Sequence, residues 1–373
     1  MAVSARTILL LAGRLAAWAD ARHLRPLVDC LGRLGFGVEV VCLSGGSILG
    51  CACAPLEYPG LANRWRQAWN SRRLRAVLSP QRPDLLHVLH PDLTRAGVSL
   101  AEHWRIPYVQ TVNEFLPPGG RLSLSPRWCR AILAGSRDLA DDLVRRLGLS
   151  ERLVGVGPLD IPLPEREATS PGAGKVPVVG STGPLVEGSG LAVFLDAAQH
   201  VVEAGIDAEF VIAGHGNRET ALRRRVEQLR ITDRVTFSED AFRTGAFWNL
   251  IDVFCQPSLV PAVGRALATA LAHGVPSIAS DVKGLRDWDN VDAGVRLITP
   301  GDAQLLAQAM LELLADPHRA REIGRRAQVS ILSSHDPSRA AQLLAAVYEH
   351  LLSQERAEET APSRVAGLSL LKP

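Results

Sequence analysis

Short apolar runs alternate with amphipathic stretches along this chain, and the alternation stops once and then restarts. Thr7 to Ala12 is apolar and ends at Gly13. An amphipathic stretch from about Ala19 to Leu34 follows, then Gly35-Phe36-Gly37, then the apolar run Val38 to Leu43. Strand, helix, strand in that order is a βαβ unit, which demands a parallel sheet with helices on its faces. The pattern predicts further strands at Asp84 to Leu89, Pro107 to Val112 and Arg130 to Ala134, with a helix at Leu93 to Trp104. Another helix starts at an N-cap, Ser136, with Asp138 and Asp141 in its early turns, where carboxylates favour the dipole.

Between Leu159 and Pro177 the texture changes. Pro158, Pro162, Pro164, Pro171, Gly172, Gly174 and Pro177 crowd together, and proline this dense continues neither a helix nor a central strand. Strands are then predicted at Val176 to Gly180, Glu209 to Ala213, Val235 to Phe237, Val253 to Gln256 and Pro276 to Ala279. Helices are predicted at Gly190 to Ala204, Arg218 to Leu229, Leu267 to His273 (buried) and Ala303 to Leu314 (on the surface). The reading is α/β: two doubly wound, Rossmann-like lobes with an interdomain cleft. The first lobe takes residues 1–158, the hinge 159–176 and the second lobe 177–335. A C-terminal helix and mobile tail, polar from Arg356 onward, take 336–373.

Composition narrows the classes. A formal net charge of +2 argues against a nucleic-acid binder. Of the six cysteines, Cys51 and Cys53 lack the spacer of a zinc or redox pair, and Cys30, Cys42, Cys129 and Cys255 lie in apolar or mixed runs. No metal and no cofactor is expected. No stretch of about 20 uninterrupted apolar residues is present, and the apolar start reads as a first strand rather than an export signal. The expected location is cytoplasmic, with the alternative of a peripheral position at the inner membrane face.

Several segments, in order, resemble the GT-B glycosyltransferases of the large retaining family 4. In the second lobe they are Val211-Ile212-Ala213-Gly214-His215-Gly216, Asp233-Arg234-Val235-Thr236-Phe237, Ile251 to Ser258 and Ala270 to Ser280. In the first lobe the match is looser: Gly13 after the first strand, Asp84-Leu85-Leu86-His87, Ile106 to Val112 and Ala134-Gly135-Ser136. The resemblance implies a nucleotide-sugar donor and a sugar or lipid-linked acceptor. It also implies donor-binding roles for Gly183, Gly214, His215, Gly264, Arg265 and Thr269, and acceptor-side roles for Gly13, Asn113 and Glu114.

The charged residues that such a family uses are largely replaced here. Pro261 and Thr269 stand where two glutamates are expected, Pro184 and Ser189 where an arginine and a lysine are expected, and Asn113 where a histidine is expected. A diphosphate leaving group develops negative charge that preorganised donors must meet. Two function readings therefore stay open. One is sugar transfer in polysaccharide or glycolipid assembly. The other is a catalytically inactive relative that binds a sugar nucleotide weakly, or a protein partner, as a scaffold or regulator.

Individual residues carry paired readings. Arg265, after Gly264 at a helix start, either holds a phosphate or faces solvent. His215 either touches a sugar or is a tolerated turn residue, and Glu114 is either a base at the strand edge or a loop carboxylate. Glu187 either meets a ligand or is a flexible loop acid. In Arg64-Trp65-Arg66-Gln67-Ala68-Trp69-Asn70-Ser71-Arg72-Arg73-Leu74-Arg75 the tryptophans share a helical face amid five arginines. That composition suits an anionic membrane surface, or a helix that packs its tryptophans on the first lobe.

Overall fold

The computed structural model describes residues 6–13, 18–44, 55–63, 67–78, 82–159, 161, 164, 176–239, 246–289 and 294–360. Most of the predicted hinge, together with Arg64, Trp65, Cys51 and Cys53, lies outside the described residues. The chain divides into two compact units, residues 1–160 with 335–373 and residues 161–334.

The first lobe is built on seven parallel strands: β1 (Thr7–Leu11), β2 (Gly37–Cys42), β3 (Leu56–Glu57), β4 (Leu85–Val88), β5 (Tyr108–Val112), β6 (Cys129–Ala134) and β7 (Val154–Val156). Their order is β3-β2-β1-β4-β5-β6-β7. Ile8 to Leu11 are wholly buried, as expected of a strand covered on both faces. Around the sheet lie α1 (Trp18–Arg33), α2 (Gln67–Leu78), α3 (Thr94–Trp104) and α4 (Arg137–Leu147). The predicted cap holds: Ser136 Oγ accepts from Leu139 N at 3.2 Å, and Gly148 ends α4 at φ +67°.

The second lobe has six parallel strands: β8 (Val178–Thr182), β9 (Glu209–Ala213), β10 (Val235–Phe237), β11 (Val253–Gln256), β12 (Ser277–Ser280) and β13 (Val295–Ile298). Their order is β10-β9-β8-β11-β12-β13. The helices in chain order are α5 (Leu191–Glu203), α6 (Glu219–Gln228), α7 (Phe247–Leu250), α8 (Arg265–Ala272), α9 (Ala303–Ala315), α10 (Pro317–Ser334) and α11 (Pro337–Thr360). Phe194 and Phe210 meet edge-on in the core at 6.1 Å.

Two expectations need correction. Helix α9 is not merely a surface helix: Leu306, Ala307, Ala309 and Met310 are buried in the same core as α5. Its apolar stripe is wide because Glu312 is its only charged residue. The C-terminal helix runs past Arg356 to Thr360, and it belongs to the first lobe. There α11 packs on α1, burying Tyr348, Leu344 and Leu351 in one cluster with Leu24, Leu31 and Phe36. Each such leucine contributes about 1.5–3 kcal/mol relative to an exposed one.

Cys30, Cys42, Cys129 and Cys255 are free and buried. Burial pushes the Cys129 thiol up to about 11 and raises that of Cys255 as well, so both stay protonated at neutral pH.

Candidate functional site

Each sheet reverses its strand order once, between β1 and β4 in the first lobe and between β8 and β11 in the second. Ligands of open α/β sheets bind at the carboxyl ends of the strands flanking such a reversal. In both lobes a glycine stands there because another group occupies the space a side chain would need. A Cβ on Gly13, just after β1, would lie 2.6 Å from His90 Cδ2, just after β4. A Cβ on Gly190, before α5, would lie 1.7 Å from the Pro257 carbonyl oxygen, just after β11.

In the second lobe three loops gather at the reversal. The 183–190 loop is joined to the 257–260 loop by Leu259 N donating to Gly188 O at 3.0 Å. It is joined on its other side to the 214–218 loop by Leu185 N donating to His215 O at 3.0 Å. Gly264 adopts φ +87° with the Trp288 ring against its α-carbon, and Trp288 Nε1 donates to Val263 O at 3.1 Å. That turn starts α8 directly after the loop that follows β11. One of its amides is already taken, with Leu267 N donating to Gln256 Oε1 at 3.2 Å. The arrangement offers glycine-turn amides and a helix N-terminus, which suit a phosphate-bearing ligand.

The predicted residues fall around this edge. Gly214 is buried and His215 exposed, while Arg265 is half-buried in the first turn of α8. Thr269 is 3% exposed, and its hydroxyl donates to the Arg265 carbonyl at 2.8 Å. Thr269 thus ties down the first turn of α8, and one buried hydroxyl oxygen stands where a carboxylate would offer two. Pro184 and Pro261 are exposed. Ser189 Oγ donates to Val186 O at 2.7 Å. Glu187, read as a loop acid, lies 3.4 Å from Arg218 Nη2.

In the first lobe the carboxyl ends of β4, β5 and β6 border a cavity of about 30 Å³, lined by His87, Thr111, Asn113, Leu133, Gly157 and Leu344 among others. Asn113 Oδ1 is buried without a protein partner. That volume holds a water or a single hydroxyl group, and Asn113 is an acceptor for it. His87 Nδ1 lies 2.7 Å from the Tyr348 hydroxyl and Nε2 lies 2.7 Å from Thr111 Oγ1. Burial pushes the imidazole down to about 3, so it is neutral, one nitrogen donating and the other accepting. Glu114 follows as an exposed residue. A larger cavity, about 630 Å³, lies at the amino-terminal edge of the second sheet. Among the described residues its acids are engaged, Glu312 with Arg296 and Asp316 as the cap of α10.

Two family models match, one to each lobe. The description "Glycosyltransferase Family 4" covers residues 21–158, and "Glycosyl transferases group 1" covers residues 176–316. The chain belongs to the group 1 glycosyltransferases of GT-B fold.

Curated relatives of this chain include a 2-deoxystreptamine glucosyltransferase of Streptomyces kanamyceticus, 26% identical over 62% of this chain and 64% of that protein. A phosphatidyl-myo-inositol mannosyltransferase of Mycobacterium leprae is 31% identical over 43% of this chain and 42% of that protein. The matched stretches thus span less than two thirds of either relative. Among solved structures, Anabaena HepE in complex with UDP and glucose aligns at a TM-score of 0.75, with 17% identity, over 93% of this chain and 100% of that one. A glycosyltransferase from Rickettsia africae aligns at 0.73, with 14% identity, over 94% and 99%. At these identities the structural likeness speaks to the fold.

One more surface of the first lobe carries the pattern picked out in the sequence. On α2, Trp69 is 62% and Val77 50% exposed. The Arg73 guanidinium carbon sits 5.6 Å from the Trp69 ring centroid, and Arg72 is exposed beside it. Trp69 therefore does not pack on the lobe, contrary to the packing alternative, which for Trp65 lies outside the described residues. Among the described residues no helix is long and apolar enough to cross a membrane.

Proposed function

We propose that this chain moves a sugar from a nucleotide-sugar donor to a sugar or lipid-linked acceptor in polysaccharide or glycolipid assembly. The observation that carries the donor half is the convergence of the 183–190, 214–218 and 257–265 loops at the strand reversal of the second lobe. Backbone amides there meet the negative charge that develops on a departing diphosphate. The HepE neighbour, whose structure holds UDP and glucose, supports a nucleotide-sugar donor. The acceptor half rests on the first-lobe cavity, where Asn113 Oδ1 is placed to accept from one hydroxyl. The Mycobacterium leprae relative, a phosphatidyl-myo-inositol mannosyltransferase, supports a lipid-linked acceptor.

The reading includes a peripheral location at the inner membrane face. Trp69, Val77, Arg72 and Arg73 present apolar and cationic groups together on the outer side of α2. That combination fits the headgroup region of an anionic bilayer.

A second reading is a sugar-nucleotide-binding or scaffold protein without turnover. Thr269, where a ribose-binding carboxylate is expected, has its hydroxyl committed to Arg265 O. A release assay with a panel of nucleotide sugars and washed membranes as acceptor source separates the two. Acceptor-dependent release of nucleoside diphosphate supports transfer, and binding without release supports the scaffold.

A further inference from the structure

The second lobe anchors the backbone of one arginine at its reversal point that the sequence motifs leave unassigned. Across residues 183–190, 214–218 and 257–265, Arg218 and Arg265 are the only arginine or lysine residues. The backbone of Arg218 is held in place by the neighbouring loop. A Cβ on Gly214 would lie 2.0 Å from Gly183 O, and one on Gly216 would lie 2.4 Å from Leu185 O. Glycine at both positions is therefore what lets the 214–218 loop lie backbone to backbone on the 183–190 loop. Two hydrogen bonds stitch the two together, Leu185 N to His215 O at 3.0 Å and Arg218 N to Leu185 O at 2.9 Å, and Gly183 N donates to Ala213 O at the end of β9 at 3.1 Å. The Arg218 side chain then reaches along the same loop to Glu187 Oε1, 3.4 Å from Nη2.

We propose that Arg218 is a diphosphate-binding residue of the donor site, supplied from the adjacent glycine loop where the 183–190 loop itself carries Pro184 and Ser189. The proposal rests on the donor reading above. The side chains of Arg218 and Glu187 are 48% and 87% exposed. An ion pair this exposed is weak and yields to a stronger anion. A diphosphate offers more charge than one carboxylate and a geometry that the planar guanidinium fork engages in two hydrogen bonds. In the ligand-free protein Glu187 serves as the counter-ion. When the diphosphate binds, it takes that place.

Calorimetric titration with UDP, GDP and ADP, and with uridine, guanosine and adenosine, tests this on the full chain. Arg218→Ala is expected to weaken the best diphosphate about tenfold or more while leaving its nucleoside unchanged. Arg218→Lys should recover part of the loss, Glu187→Gln should tighten diphosphate binding, and the salt dependence of binding should flatten in Arg218→Ala. The anchoring bond comes from the backbone amide, so Arg218→Ala should melt like the wild type. Diphosphate binding by a folded Arg218→Ala protein that equals wild type overturns the assignment and leaves the donor reading standing. A wild type that binds none of the three diphosphates overturns both.

Discussion

The Tyr348 hydroxyl on the C-terminal helix lies 2.7 Å from Nδ1 of His87 on β4, a hydrogen bond that closes a gap of 261 residues. The chain enters the second lobe and returns, and this bond is part of what secures α11 to the first sheet. Removing the hydroxyl leaves a buried ring nitrogen without its partner. Tyr348→Phe is therefore expected to destabilise the first lobe by about 1–3 kcal/mol, read as a lowered midpoint in urea.

The same histidine predicts an acid limb. His87 has a folded value of about 3 against an ordinary 6.5, because burial disfavours its charged form. The unfolded chain then binds the proton more readily than the folded one. This contribution is complete above pH 6.5 and is lost as pH falls from 6.5 toward 3. The slope is at most about 1.4 kcal/mol per pH unit. Urea unfolding midpoints at pH 7, 6, 5 and 4 should fall more steeply for the wild type than for His87→Gln. Parallel declines would show that other groups set the acid limb.

Glycine positions separate close approach from mere turn geometry. Gly190 (φ +73°) and Gly205 (φ +81°) both have left-handed backbones. An added Cβ at Gly205 meets nothing within 4 Å, whereas at Gly190 it meets Pro257 O at 1.7 Å. Gly205→Ala should cost about 1 kcal/mol. Gly190→Ala must also push apart the two loops of the proposed donor site, and should cost at least twice as much and weaken nucleotide binding.

The α2 surface predicts association with bilayers. Wild-type protein should pellet with vesicles of phosphatidylcholine and phosphatidylglycerol, and less so as salt is raised. Trp69→Ala and Arg72→Glu/Arg73→Glu should each reduce pelleting while leaving the melting temperature near wild type, since these side chains are exposed. Equal pelleting of all three proteins would remove α2 from the account.

The second sheet was legible because its strands are runs of Val, Ile and Phe bounded by glycine or polar turns: Glu209–Ala213, Val235–Phe237 and Val253–Gln256 fall on the predicted boundaries. Strands β3, β7 and β13 were not legible. They are two to four residues long, and Gly155 and Arg296 interrupt their apolar pattern. Local pattern also cannot show where α11 docks, because its apolar face is compatible with either lobe. Around the site, the glycines announced the turns. The pairing of Arg218 with Glu187 is a tertiary contact that spacing does not encode.

The replaced charges predict a weak donor site. Each lost charge-assisted hydrogen bond removes about 1.5–3 kcal/mol, so two or three such losses move a micromolar site toward millimolar. Arg265→Ala should weaken nucleotide binding further. Thr269→Glu should recover part of the affinity by restoring a carboxylate, provided α8 keeps its first turn without the Thr269 hydroxyl bond.

The most direct test of the central claim is a calorimetric titration of the full chain against nucleoside diphosphates and their sugars. The account predicts saturable binding to at least one nucleoside diphosphate, with dissociation constants between about 10⁻⁴ and 10⁻³ M. Binding should weaken in Gly190→Ala and Arg265→Ala and be unaffected by Trp69→Ala. No binding to any member of the panel at millimolar concentration, by protein shown to be folded, would contradict the assignment of the second lobe as a nucleotide-sugar site.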